Sequence, residues 1–220
     1  MDRRTGTPWL PPSDTAAYAL AVFAFASVVL FAIVCGAVQF LRPDLDPLRA
    51  QLSLYLTGDY GALVRFVYYV LAAGLVALGC SAYHASDPAR RSAAPLLLFI
   101  LAGIALGPVA ASEVMATDGT AHAPLARFVH GVAAQTTFLA VTVAMLLQSF
   151  RWLRDATFER GRVARLALAI AAFVLLWVHV LLHPGPAGLT QKILIATILA
   201  WLGGAAWQVR GALARVCVRR

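Results

Sequence analysis

The segment Trp177-Val178-His179-Val180-Leu181-Leu182-His183 sets two imidazoles four residues apart, and His130 supplies a third upstream. In a helix the i and i+4 positions share a face, so His179 and His183 would point the same way before Pro184 ends the helix. Three histidines and a carboxylate are the kind and number of ligands that Zn²⁺ takes, with water in the open position and its pKa lowered toward neutrality. In that arrangement His130, His179 and His183 hold the metal and Glu113 or Asp118 acts as the base. Ser53 orients the substrate of a metal-dependent hydrolase of a lipid or amide. The pattern lacks the glutamate of the HExxH signature. A plainer role for His130 and His179 is hydrogen bonding between helices. Haem would need these two as axial ligands. With no second histidine pair to carry electrons across a membrane, haem is disfavoured.

Two cations lie close to these residues in sequence. Arg127 precedes His130 by one helical turn, and Lys192 follows Gln191. They could pair with Glu113, Asp118 or Asp46, or hold an anionic head group, which gives a ligand-binding set of Ser53, Arg127, His130 and Lys192. Their plain role is to form ion pairs that close one end of a helical bundle.

Six apolar segments must position all of this, at 17–40, 61–83, 94–113, 126–150, 163–183 and 190–209. Each has about 20 residues or more, which at about 1.5 Å per residue crosses a hydrocarbon core of roughly 30 Å. With 61% hydrophobic and 13% charged residues and a mean hydropathy of +0.78, the chain is read as an all-α, six-span bundle. Residues 1–16 and 210–220 flank the bundle as an N-terminal segment and a basic tail. Six spans put both termini on one side. That side, with the loops near 84–93 and 151–162, carries 13 of the 18 Lys and Arg residues; the other has only Arg42, Arg49, Arg65, Arg127 and Lys192. Cations are retained in the cytoplasm during insertion, so both termini are expected to be cytoplasmic and the membrane a bacterial inner membrane. Glu113, Asp118, His122, His130, His183 and Lys192 then fall in one outward layer, with His179 a turn deeper.

The net charge of +8 is confined to short loops beside spans, so anionic lipid is the expected partner and nucleic acid is not. Cys35 and Cys80 fall within spans and Cys217 in the tail, which places no pair for a disulfide. The first apolar run is too long for a cleaved signal peptide, and Val34 occupies the small-residue position of a lipoprotein site. After the first span, Leu48, Leu52, Tyr55 and Leu56 recur at helical spacing, predicting a short helix on or dipping into the bundle mouth. Gly107-Pro108 predicts a kink in the third span. No similarity between the halves supports an inverted repeat.

Asp46-Pro47-Leu48-Arg49 followed by Gln51-Leu52-Ser53, His130-Gly131, and Gly188-Leu189-Thr190-Gln191-Lys192 before Trp201 together resemble the bacterial membrane family catalogued as domain of unknown function 998. The resemblance runs from about Tyr18 to Arg210 and implies a six-helix or similar bundle with no established activity. Lys192 stands where that family suggests arginine, and the usual proline is absent near Thr117-Asp118. Because lysine acts as a point charge, a bidentate anion clamp does not follow. The set of Ser, Asp and His residues is also similar to membrane hydrolases related to alkaline ceramidases, although this chain has fewer spans. The reading is therefore a membrane protein with an outward-facing pocket for a lipid head group or small polar ligand. The zinc hydrolase is the alternative, and an accessory subunit packed on a membrane-protein partner, or a homo-oligomer, is the third.

Overall fold

The computed structural model describes residues 14–117, 123–181 and 187–218, and the backbone alone at 90, 113–117 and 216–218. Six long helices make up the fold: α1 (Asp14–Leu41), α2 (Gly61–Ala85), α3 (Ala93–Thr117), α4 (Ala123–Trp152), α5 (Arg162–Leu181) and α6 (Ala187–Val218). Short 3-10 turns lie at Leu52–Leu56, Pro88–Arg90 and Ala156–Phe158, and no strand occurs among the described residues. All six helices are long and apolar enough to cross a membrane. The expected all-α bundle of six helices is observed, each helix a candidate span. Where water is absent, backbone groups must be satisfied within the segment, and a helix does this with its own hydrogen bonds.

Several helices run past their apolar cores. α3 continues through Pro108 to Thr117, where Ser112 Oγ donates to the Pro108 carbonyl. α6 starts three residues earlier than its apolar run and extends to Val218, so most of the basic tail continues the helix. Hydropathy marks where lipid begins and ends, whereas a helix stops only where its hydrogen bonding does.

Each helix packs against its neighbours in sequence, α1 closes the ring on α6, and α2 also reaches α6 across the interior. Small residues set the spacing, as is usual between membrane helices. A Cβ on Gly103 would lie 2.6 Å from the Ala72 carbonyl oxygen of α2.

Consecutive helices alternate in direction, giving the bundle two unlike ends. At the near end, where α1 begins, His84 Nε2 pairs with Asp14 Oδ1 at 2.9 Å. Trp152 stacks on Phe158 with ring centroids 4.2 Å apart and on Trp201 at 6.2 Å. Ser86 Oγ accepts from Trp152 Nε1 and Ser149 Oγ from Trp201 Nε1. Buried Arg165 lies over the Trp152 ring and donates to the Phe158 and Arg160 carbonyls. Buried Asp155 accepts from the Asp87 and Thr157 amides. These aromatic rings and loops form a packed floor.

Gly103→Ala is expected to force α2 and α3 apart and to cost about 1–3 kcal/mol, the usual range for overpacking. Gly36→Ala, where a Cβ meets nothing within 4 Å, should be neutral or slightly stabilising. Thermal unfolding of the two variants in detergent checks this, and equal midpoints would contradict the packing described.

Candidate functional site

The opposite, far end is covered by the chain between α1 and α2, an irregular stretch whose backbone groups need partners. Side chains supply many of them. Arg42, itself buried, donates to the Thr57 carbonyl at 2.6 Å and the Asp59 carbonyl at 3.2 Å, while Nε and Nη2 grip both oxygens of Asp44 at 2.7 Å. Arg65 Nη1 donates to the Leu56 carbonyl at 2.6 Å. Lys192 Nζ donates to the Pro47 carbonyl and lies 5.3 Å from the centre of the Tyr55 ring. Gln191 Oε1 accepts from Leu52 N at 2.8 Å, and Leu189 N donates to the Leu48 carbonyl at 2.9 Å. Gly188 permits this approach, since a Cβ there would sit 2.5 Å from the Ala50 oxygen. Two of the sequence motifs, 46–53 and 188–192, thus meet each other.

The predicted short helix at the mouth is the turn Leu52–Leu56. It buries Leu52, Ser53, Tyr55 and Leu56, while Leu48, placed on the same face by its spacing, is 55% exposed. A 3-10 turn has about three residues per turn, so a face drawn at α-helical spacing drifts off it.

Beneath this cover lies a cavity of about 370 Å³, within the roughly 300–1,000 Å³ usual for small-molecule sites. α4 contributes His130, Ala134, Thr137, Phe138 and Val141, positions that recur on one helix face. α5 contributes Leu176 and His179, α6 contributes Gln191, Ile195 and Leu202, and the cover contributes Gln51 and Ser53. Several polar groups gather toward the far end: His179 in the last described turn of α5, Gln191 in the second turn of α6, and His130 near the start of α4. Leu71, Leu75, Leu106, Val141 and Leu202 line the deeper part.

Both histidines bridge helices, as the plainer reading expected. His130 Nδ1 lies 3.2 Å from the Val109 carbonyl of α3, and a carbonyl can only accept, so Nδ1 carries the proton. His179 Nδ1 lies 3.0 Å from Thr190 Oγ1, whose own proton goes to the Ala187 carbonyl. In the neutral ring each Nε2 is then the acceptor nitrogen.

Of the residues predicted for the site, Ser53, His130 and His179 line one cavity. Arg127 is exposed on α4 and not on the cavity wall. Lys192 is also off the wall, engaged with the cover. Asp118, His122, His183 and the side chain of Glu113 lie outside the described residues. Among those described, no three His, Cys, Asp or Glu side chains gather to hold a metal ion. Sequence reasoning missed Gln135 and Thr137, which also line the cavity; a glutamine inside an apolar span was the available signal.

Outside the spans, the hydrogen bond from Arg42 holds the Asp44 carboxyl below its usual value and raises the guanidinium pKa. Burial raises that of Tyr55. Gly58 adopts φ +68°, and a Cβ there would lie 3.1 Å from the Arg42 guanidinium, so the turn needs glycine on both counts. A carboxylate with a lowered pKa stabilises fully above the ordinary carboxylate range and loses that contribution as pH falls through its folded value. The protection factor of the Gly61 amide, which donates to the Gly58 carbonyl, taken against the intrinsic exchange rate at each pH, should therefore fall in acid in the wild type. In Asp44→Asn that protection should be low at every pH, and Gly58→Ala should lower it at neutral pH. Protection in Asp44→Asn equal to wild type would show that the pair does not hold the cover.

No curated protein and no solved structure matches the chain. Residues 25–208 match the sequence model described as "Protein of unknown function (DUF998)", a span that contains the cover motif, the His130-Gly131 step, the 188–192 motif and Trp201. The chain is a member of the DUF998 family of multi-pass membrane proteins.

Proposed function

We propose that the protein sits in the bacterial inner membrane with both termini in the cytoplasm and binds a lipid head group or small polar ligand in a cavity facing outward. The carrying observation is the make-up of the cavity, where Gln51, Ser53, His130, His179 and Gln191 gather at the far end above a mostly apolar wall that Gln135 and Thr137 interrupt. The arginine excess beside that floor supports a cytoplasmic near end. Ser53 and His130 contact the polar group. Lys192 acts through the cover that it holds, and Arg127 borders the head groups of the outer leaflet.

A zinc-dependent hydrolase is favoured by one feature: His130 and His179 line the same cavity, each with Nδ1 on an oxygen, the outer-shell pattern that orients imidazole ligands. His183 would complete the ligands and Glu113 or Asp118 would be the base.

Small molecules and lipids extracted with the purified protein and identified by mass spectrometry test the main reading. One species should be enriched over bulk membrane, and Ser53→Ala with His130→Phe should reduce its occupancy at least five-fold. No enrichment, or enrichment indifferent to both substitutions, overturns it. Stoichiometric zinc lost in His130→Ala with His179→Ala would replace it with the hydrolase. A fluorescent reporter fused after Arg220 should read as cytoplasmic; a periplasmic signal would invert the site.

A further inference from the structure

We infer that the ligand is an uncharged, single-chain amphiphile, with a hydroxyl or amide head at the far end and one apolar chain along the bundle, entering sideways between α4 and α5. This rests on the cavity reading above and deepens it.

The head is uncharged because, among the described residues, no Lys, Arg, Asp or Glu side chain lines the cavity. The nearby cations are committed elsewhere: Arg42, Arg65 and Lys192 to carbonyls of the cover. A phosphate or carboxylate entering this space would shed its water without meeting a lysine or arginine among the described residues, which costs several kcal/mol. The groups that do line it suit a neutral partner. Gln51, Gln191 and Ser53 offer amides and a hydroxyl beside the two imidazoles.

A single chain follows from size and shape. At about 370 Å³ the cavity stands near the bottom of the range for small-molecule sites. It suits a small head with one chain against Leu71, Leu75, Leu106 and Leu202, not a whole two-chain lipid.

Entry from the side follows from two wall residues that are also exposed, Gln135 on α4 and Val180 on α5. Gln135 lies about 18 Å along α4 from its start at 1.5 Å per residue, below the head-group layer. An amphiphile can therefore pass from the bilayer while the cover stays in place.

Gly131 provides a clean probe, because it lines the cavity and a Cβ there would meet nothing within 4 Å. Gly131→Leu should fill the space without disturbing packing. The full chain, in nanodiscs of zwitterionic lipid, would be photolabelled with mono-oleoylglycerol carrying a diazirine in its chain. Competitors are mono-oleoylglycerol, oleate, oleoyl-lysophosphatidylglycerol and dioleoylglycerol. Saturable labelling of α4 or α5 is expected, with mono-oleoylglycerol competing at least ten-fold better than any of the others. Gly131→Leu should abolish labelling without lowering the thermal midpoint. If a charged single-chain competitor or the two-chain one matches mono-oleoylglycerol, the inference falls and the cavity reading survives. It falls the same way if the co-purified species is charged or water-soluble and depends on His130. If wild type is not saturably labelled and nothing co-purifies, both fall. Labelling unchanged in a folded Gly131→Leu variant would place the amphiphile outside the cavity and overturn the inference.

Discussion

Irregular backbone at the mouth of a membrane bundle is tolerated only where its N–H and C=O groups find partners. That requirement governs the far end of this protein. Between α1 and α2 the chain neither forms a long helix nor leaves the bundle. It turns back, buries Leu52, Ser53, Tyr55 and Leu56, and relies on Arg42, Arg65, Gln191 and Lys192 to satisfy its backbone. Each such bond adds about 1 kcal/mol net when made, and a buried group left without one costs about 1–3 kcal/mol. A residue that merely caps a carbonyl can thus matter as much as one in the core.

The same requirement explains how the scarce cations on this side are spent. Of the five, three hold the cover and Arg49 pairs with Asp46 at its exposed edge. Arg127 alone faces outward from a span. Among the described residues, lysine and arginine lie beside the cavity but not on its wall, whose polar groups are amides, hydroxyls and imidazoles. The near end is built differently, with indole rings stacked under Arg165 and their N–H groups satisfied by serines. One end is a packed floor, and the other is a cover held by hydrogen bonds over a polar pocket.

Much of this was legible in the sequence. Six apolar runs became six helices because a continuous run of about 20 apolar residues satisfies its backbone in lipid with its own helical bonds, whereas barrel strands have about 9–11 residues that alternate in polarity. His130 and His179 were legible for the same reason, since an imidazole in a span needs a partner, and each has one. The partner of Lys192 was not legible. A lysine at the start of a span reads as an anion site, and only the folded chain reveals that a carbonyl 145 residues away accepts its hydrogen bond. Gln135 was passed over because a neutral amide does not stand out as a charge does, and its place on the wall depends on how α4 turns toward α5.

Cover and cavity are not separable parts. Gln191 receives the Leu52 amide and also lines the cavity, and Gln51 and Ser53 belong to the cover while facing the ligand space. Whatever orders the cover therefore also orders half of the polar end of the pocket. By linkage, a ligand that engages these groups must stabilise the cover by the same free energy with which the cover improves its binding. This reciprocity gives a physical reason for motifs 46–53 and 188–192 to act as one unit despite their separation in sequence. Neither can satisfy its polar groups alone, and the cavity takes its polar end from both.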